Sequence, residues 1–157
     1  MGTATSIRFR GEFAQRVDDK ARLAIPSAYR TALEVAGDKQ LILVRSVLGR
    51  CIAAWPLRDW QAYEDKILAL PPSDPTVMKL LRFQVSGNTL VEPDSHGRVV
   101  LPPTLRQYAR IEPSAEVMVV STGNRFEVWA KELWGADQLD IEADIENWRT
   151  DLPRLGL

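Results

Sequence analysis

The sequence predicts a mainly β protein with helices, of the α+β class, in which two tandem repeats interleave into one β-barrel with pseudo-two-fold symmetry. Three observations lead to this prediction. The chain has 157 residues, enough for one domain or two small intertwined ones. One pattern of residues recurs in its two halves. Each half carries only short strands, which cannot bury both faces of a sheet, so the halves are expected to share one core.

The repeat is centred on an Asp-x-x-x-Arg motif. In each copy the arginine is followed by three apolar residues, a proline and a second arginine, at residues 18–30 and again at residues 94–106. An aliphatic run and a pair of tryptophans also recur in register. Their positions are residues 41–44 and 117–120 for the aliphatic run, and Trp55, Trp60, Trp129 and Trp134 for the tryptophans.

The first copy has apolar stretches separated by clear turn and helix signals. Pro26 suits the first position of a helix, and Gly37 suits its C-terminal end. Residues 23–25 are expected to be a strand buried on both faces. The predicted elements are strands at residues 9–17 and 23–25, a helix from Pro26 to Gly37, strands at residues 40–46 and 50–55, and a helix at residues 57–70.

The second copy repeats this order after a proline-rich joint at residues 71–75, which carries a short helix at residues 76–83. The paired tryptophans are expected to belong to the core rather than to a platform for stacking bases. The predicted elements are strands at residues 89–92 and 98–101, a helix at residues 102–110, strands at residues 116–121 and 125–129, and a helix at residues 131–148.

Composition excludes several classes of protein. The mean hydropathy is −0.18, and no apolar run approaches the ~18 residues of a membrane span. The N-terminus lacks the apolar stretch of a signal peptide, so we expect no membrane association and a cytoplasmic location. Cys51 and His96 are the single cysteine and the single histidine, which argues against a disulfide framework, a thiolate zinc cage or a Cys–His nucleophile pair. No metal ion or cofactor is expected.

Charge is distributed unevenly along a chain that is nearly neutral as a whole. Residues 1–30 hold six basic and three acidic side chains, whereas residues 131–157 hold three basic and seven acidic ones. Such a protein can turn one positive face to a polyanion and an acidic face to solvent. Ordinary surface charge that is segregated by chance is the alternative.

The Asp-x-x-x-Arg motif can hold a guanidinium in one orientation. Asp18 in a tight turn is expected to accept backbone N–H bonds and to fix Arg22 by its charge. A guanidinium fixed in this way suits phosphate oxygens or the O6/N7 edge of guanine. The alternative is that aspartate and arginine only tie the turn together.

The two copies differ in the cations around the motif. The first copy has Arg16, Lys20 and Arg30 nearby. In the second copy Glu92 and His96 stand where the first has Arg16 and Lys20. This asymmetry favours a binding face built from the first copy and a supporting face built from the second.

These motifs resemble the MraZ family of bacterial transcriptional regulators, which are built from two AbrB-like (swapped-hairpin) repeats. The resemblance covers nearly everything from Phe9 to Trp134. It rests on two Asp-x-x-x-Arg motifs, each with a proline four residues after the arginine. The segments that carry it are residues 9–12, 18–26, 55–60, 70–71, 94–102, 105–108 and 126–129.

The resemblance implies a sequence-specific repressor that binds short direct repeats in double-stranded DNA ahead of the division and cell-wall gene cluster, including its own promoter. It also implies a nucleoid-associated protein that assembles into closed rings of about eight copies. Carried over by position, the DNA-binding residues are Arg16, Lys20, Arg22 and Arg30, with Arg10 added from local charge. Asp18, Asp94, Arg98 and Arg106 are carried over as residues of the motif and of its loops.

One position departs from the family pattern. Ala21 stands where the family usually has the glycine seen at Gly97, so the first turn must tolerate a Cβ and is open to a different shape. The expected organisation begins with an N-terminal extension at residues 1–8, which is a disordered arm, an arm that contacts DNA through Arg8, or a start-site artefact. It continues with a first AbrB-like repeat at residues 9–70, a joint at residues 71–86, a second repeat at residues 87–150, and a tail at residues 151–157.

Two other functions are weighed against a DNA-binding regulator. A ring-forming scaffold or antitoxin-like module would bind protein through the acidic C-terminal helix, although packing on its own barrel or on a neighbouring subunit also explains that helix. A barrel enzyme would use Asp94, His96 and Glu92, or Asp18 and Asp19. The sequence lacks a nucleophile–base pair and a glycine-rich phosphate loop, so no enzyme is expected.

Overall fold

The computed structural model describes residues 6–157, and the order of its elements confirms the expected α+β class. The first half contains β1 (Glu12–Arg16), β2 (Arg22–Ala24), α1 (Ser27–Ala36), β3 (Leu41–Arg45), β4 (Ile52–Pro56) and α2 (Leu57–Leu68). A joint follows, with α3 (Pro75–Leu80) and a π-helical turn (Leu81–Val85). The second half contains β5 (Thr89–Val91), β6 (Arg98–Val100), α4 (Pro103–Ala109), β7 (Glu116–Ser121), β8 (Phe126–Ala130) and α5 (Lys131–Ala143).

The C-terminal helix differs from its prediction as one continuous helix over residues 131–148. The chain leaves helical geometry at Asp144, where φ is −102° and ψ is 8°, and a second helix, α6 (Ile145–Arg149), follows. A 3₁₀ turn (Leu152–Leu155) completes the described chain. None of the helices in residues 6–157 has both the length and the apolar composition that crossing a bilayer requires.

The two halves interleave through their strands. Six strands form an antiparallel sheet in the order β1-β7-β8-β4-β3-β5. When each strand is replaced by its equivalent in the other half, the same order is obtained, read from the opposite edge of the sheet. The registers obey the same symmetry, since Gln15 pairs with Val117 as Val91 pairs with Leu41. The expected pseudo-two-fold relation between the halves is therefore present in the pairing of the strands.

The sequence predicted one interleaved β-barrel, and the pairing of the described strands shows no closed barrel. Within residues 6–157 the ladder of the sheet has edges at β1 and β5, and the short strands β2 and β6 pair with each other as a separate two-stranded ribbon. Each ribbon strand has only three residues. The ribbon therefore does not extend the six-stranded ladder, although its Leu23 and Val99 belong to the shared core.

The main core lies between the six-stranded sheet, the ribbon and the short helices that follow the ribbon strands. Tyr29 of α1 is fully buried, and its ring lies 5.0 Å from the rings of Phe9 and Phe126. Its hydroxyl donates to the carbonyl of Gly11 at 2.5 Å, and burial raises the pKa of this phenol to about 12.

Of the expected N-terminal extension, residues 1–5 lie outside the described residues, whereas Ile7 is buried in this core.

Two smaller apolar clusters contain the tryptophans. Trp55 and Trp60 lie 5.5 Å apart between β4 and α2, and Trp129 and Trp134 lie 5.9 Å apart between β8 and α5. Three of the four are buried, and Trp134 is half-buried. The prediction that these residues belong to the core is therefore confirmed.

Candidate nucleic-acid interface

The first Asp-x-x-x-Arg turn is held by the carboxylate of Asp18. One oxygen, Oδ1, accepts hydrogen bonds from the backbone N–H groups of Lys20 at 2.9 Å and Arg22 at 2.8 Å. The other, Oδ2, accepts from Nε of Arg22 at 2.6 Å. The guanidinium of Arg22 is thus held through Nε.

The second turn repeats this geometry around Asp94. Its Oδ1 accepts from the backbone N–H groups of His96 at 2.8 Å and Arg98 at 2.9 Å, and its Oδ2 accepts from Nε of Arg98 at 3.2 Å. Ala21 and Gly97 occupy the same left-handed position, with φ of 60° and 73°. The substitution of alanine for glycine therefore does not give the first turn a different shape, although it adds a strain of about 1–2 kcal/mol.

Both carboxylates are more acidic than usual. The pKa of Asp18 is lowered mainly by the backbone N–H of Arg22, and the pKa of Asp94 is lowered mainly by the backbone N–H of Arg98. Hydrogen bonds to the charged form favour that form. Each turn therefore keeps a charged carboxylate beside its arginine throughout the neutral range.

The ribbon brings the two turns together on one surface. Leu23 and Val99 face the core, with 0% and 3% of their surface exposed, whereas the residues on either side of them face outward. The expectation that residues 23–25 are buried on both faces is therefore wrong, because the ribbon lies at the surface of the sheet assembly. Arg22 and Arg98 both lie on its outer face.

Each turn is bonded to the strand of the other repeat. The backbone N–H of Ile25 donates to the carbonyl of Gly97 at 2.8 Å, and that of Leu101 donates to the carbonyl of Ala21 at 2.9 Å. These bonds extend the pairing of β2 with β6 at both ends. The outer face of the ribbon is consequently one rigid unit made by both repeats.

Arg30 lies against the turn of the opposite repeat. Its Nε donates to the carbonyl of Ile25 at 3.2 Å, and a Cβ added at Gly97 would lie only 2.7 Å from that nitrogen. Arg106 makes the equivalent bond to the carbonyl of Leu101 at 3.0 Å. The sequence associated Arg30 with the first turn, whereas the structure places it beside the second.

The remaining sequence-predicted cations occupy three different settings. Lys20 is exposed at the tip of the first turn. Arg16 donates to the carbonyl of Ser114 at 2.7 Å and pairs with Glu116 at 3.0 Å, so its guanidinium is engaged within the protein. Arg10 is exposed and lies before β1, at the opposite end of that strand from the Asp18 turn.

The carboxylate of Glu116 is shared between Arg16 and Lys131. Lys131 contacts it at 2.8 Å, and this hydrogen bond is the main cause of the lowered pKa of Glu116 and of the raised pKa of Lys131. A polyanion that engages Arg16 would have to compete with this carboxylate.

Within residues 6–157 no group of three or more His, Cys, Asp or Glu side chains is placed to hold a metal ion.

The equal placement of Arg98 with Arg22 and the contact between Arg30 and Gly97 were not predicted from the sequence. Both arise from pairing between the repeats. The two aligned motifs were the available signal, because symmetric repeats that interleave must place equivalent residues at equivalent positions around the two-fold axis.

Comparisons with known proteins agree on one family. A family model described as "MraZ protein, putative antitoxin-like" matches residues 8–83 and 85–149. A protein of Legionella pneumophila (strain Corby) named "Transcriptional regulator MraZ" is 39% identical over 92% of this chain and 94% of its own. Proteins of the same name from Shewanella denitrificans and Saccharophagus degradans are 36% and 35% identical, over 88% and 85% of this chain and 90% of theirs.

Proposed function

The chain belongs to the MraZ family, and from this premise we propose that it is a transcriptional regulator that binds double-stranded DNA through the outer face of the β2–β6 ribbon. The curated relatives are named transcriptional regulators, which points to a protein that is not an enzyme. The single observation that carries the choice of surface is the presence there of two guanidiniums, each held by its own aspartate.

Two fixed guanidiniums suit the backbone of a duplex and the edges of its bases. Arg22 and Arg98 lie diagonally across the ribbon, at a separation of roughly 7–8 Å between α-carbons. A two-stranded ribbon is narrow enough to enter the major groove, where arginine pairs with O6 and N7 of guanine. Arginines that contact only phosphates would position the protein without reading sequence.

The surrounding cations would extend this surface. Lys20 lies at the tip of one turn, and Arg30 lies against the other. Arg106 is anchored in the same way as Arg30 and takes the equivalent supporting position. In this proposal Arg16 binds a DNA phosphate in place of its ion pair with Glu116. Arg10 contacts DNA that extends along β1.

The division of the chain into repeats, the operator and the place of action are proposed from the resemblance to AbrB-like proteins. We assign residues 9–70 and 87–150 to two AbrB-like repeats joined by residues 71–86. The proposed operator is a set of short direct repeats ahead of the division and cell-wall genes and of the protein's own gene, where binding represses transcription. The proposed place of action is the nucleoid in the cytoplasm.

An oligomeric ring would supply the affinity that one subunit lacks. One ribbon face offers only a few phosphate contacts, and each neutralised phosphate adds about −0.9 to the slope of log K against log salt concentration. Several subunits on successive repeats convert later contacts into intramolecular ones and raise avidity by roughly 10²–10⁴. We propose a closed ring of about eight copies as the arrangement that does this.

The test compares duplexes that carry one, two and three repeats taken from upstream of the protein's own gene. Electrophoretic mobility and fluorescence anisotropy should show weak, salt-sensitive binding to one repeat and much tighter binding to three. Equal affinity for all three duplexes would overturn the avidity argument. Full assembly without binding to any of them would instead favour a scaffold or antitoxin-like module.

A further inference from the structure

The helices α2 and α5 are equivalent in the two repeats but differ in what covers them. Ile67 of α2 and Ile141 of α5 follow the equivalent tryptophans Trp60 and Trp134 by the same number of residues. Ile67 is 3% exposed and Ile141 is 44% exposed. Trp60 is likewise buried, whereas Trp134 is only half-buried.

The cover over the first repeat is supplied by the joint between the repeats. The hydroxyl of Tyr63 on α2 donates to Oε1 of Gln84 in the π-helical turn at 3.1 Å, and Nε2 of Gln84 donates to the carbonyl of Arg45 at 2.9 Å. Val85 packs against the cluster that contains Trp55 and Trp60. The joint thus closes the apolar face between α2 and β3.

Within residues 6–157, no equivalent segment covers α5. The chain continues from α5 into α6, and the apolar side chains of this stretch remain at the surface. Trp148 folds back so that its indole N–H donates to the carbonyl of Ile141 at 3.0 Å. This bond brings Trp148 to Ile141, and Ile145 lies between them in the chain. All three apolar side chains are about half-exposed, and we call them the α5–α6 patch.

The charges around the α5–α6 patch are mostly negative. Residues 137–151 carry six acidic side chains and one arginine, and Arg149 is already paired with Glu146. Asp140 and Glu142 flank Ile141 and are exposed. An occupant of this patch must therefore combine apolar surface with positive charge.

The outer side of the joint has this chemistry. An open groove of about 390 Å³ is lined by Arg45, Lys79, Arg82 and Phe83. The guanidinium carbon of Arg45 lies 4.3 Å from the centre of the Phe83 ring, which holds the ring and this charge together. Lys79 and Arg82 are exposed. We call these four residues the joint groove.

We propose that the α5–α6 patch of one copy docks in the joint groove of the next copy of this chain. The contact pairs an acidic apolar helix face with a basic aromatic groove on a different part of the molecule. Such a heterologous contact repeats from copy to copy and closes into a ring when the rotation between copies permits. The inference deepens the assembly part of the proposed function, on which it rests, and it is independent of how the ribbon contacts DNA.

The test uses charge reversal on each side of the contact. The pair Lys79→Glu with Arg82→Glu reverses the groove, and the pair Asp140→Lys with Glu142→Lys reverses the patch. Each pair alone is expected to reduce the native mass from the assembly to the single chain of 17.7 kDa, as measured by light scattering and native mass spectrometry. All four changes in one chain are expected to restore the assembly, because the charges are again complementary.

A matched control reverses two exposed cations away from the groove, Lys39→Glu and Lys66→Glu, and is expected to keep the wild-type mass. Circular dichroism and urea unfolding check that every variant is folded. All substituted side chains are exposed, so little change in stability is expected.

Each other outcome overturns a defined part of the inference. An assembly that survives both reversals overturns this interface but leaves the ring and the DNA site standing. Dissociation without rescue by the combined variant rejects the pairing of these two surfaces. If the groove variant keeps its mass and binds DNA more weakly, the groove belongs to DNA. A monomeric wild type overturns the ring and this contact together, while binding of a one-repeat duplex still tests the ribbon.

Discussion

Arg22 and Arg98 lie on the same outward face of the β2–β6 ribbon, Arg22 opposite Val100 and Arg98 opposite Ala24. Each guanidinium is bonded through Nε to the aspartate four residues before it. Their relation to each other is set by strands from different repeats. The proposed DNA surface is therefore one symmetric unit and not two separate loops.

This symmetry predicts that both arginines matter for binding DNA. We expect Arg22→Ala and Arg98→Ala each to weaken binding of a repeat-containing duplex by about 1–3 kcal/mol, or roughly 5- to 150-fold, in fluorescence anisotropy. Lys66→Ala, on the exposed side of α2, is the control and should bind like wild type. Normal binding by Arg98→Ala would instead restore the asymmetric reading of the sequence.

The aspartates separate orientation from net charge. Asp18→Asn removes a negative charge close to the proposed DNA surface, so simple electrostatics predicts tighter binding. Loss of the bond from Nε of Arg22 predicts weaker binding, because the guanidinium is no longer fixed. We expect weaker binding, measured as affinity at several salt concentrations. A gain in affinity would show that Asp18 does not serve DNA binding by positioning Arg22.

Acid should destabilise the protein partly through these two turns. The folded-state pKa values of Asp18 and Asp94 lie below the ordinary 3.8, so their stabilising effect is present above that value and is lost as the pH falls through the folded pKa. Urea unfolding between pH 7 and about pH 2 should show a steeper loss of stability in wild type than in the double variant Asp18→Asn with Asp94→Asn. An identical dependence of stability on pH in the two proteins would contradict the lowered pKa values of Asp18 and Asp94.

Gly97 is expected to be intolerant of a side chain for two separable reasons. Its φ of 73° strains any L-residue, and an added Cβ would press on the Arg30 side chain. Gly37→Ala is the matched control, because Gly37 has a φ of 70° with open space around it. We expect Gly37→Ala to cost about 1–2 kcal/mol in urea unfolding and Gly97→Ala to cost more. Only Gly97→Ala should also weaken DNA binding, through displacement of Arg30.

The buried phenol of Tyr29 should affect stability and not binding. Tyr29→Phe removes the hydrogen bond to the carbonyl of Gly11 while keeping the ring contacts with Phe9 and Phe126. The expected loss is about 1 kcal/mol in the free energy of unfolding, with unchanged denaturant slope and unchanged DNA affinity. If the variant keeps full stability but loses DNA binding, α1 must influence the DNA-binding surface through Tyr29 as well as through Arg30.

Much of the fold could be predicted from sequence because it depends on residues close together in the chain. The two turns, the helices after Pro26 and Pro102, and the hairpins β3–β4 and β7–β8 all lie near their predicted positions. The prediction of one helix over residues 131–148 was wrong, because the periodicity of the sequence does not show the break at Asp144. The strand pairing also shows no closed barrel where one interleaved β-barrel was expected, because whether a ladder closes depends on the lengths and partners of all its strands.

The duplication and the chemistry of each Asp-x-x-x-Arg turn could be derived from local sequence, because an aspartate reaches the N–H groups and the arginine of its own turn. The pairing of β2 with β6 and the contact of Arg30 with Gly97 become visible only in the folded molecule. The same is true of the joint, which covers α2 and leaves α5 exposed. These outcomes depend on contacts between residues far apart in the chain. Such contacts are settled by the packing of the whole molecule, which no local pattern contains.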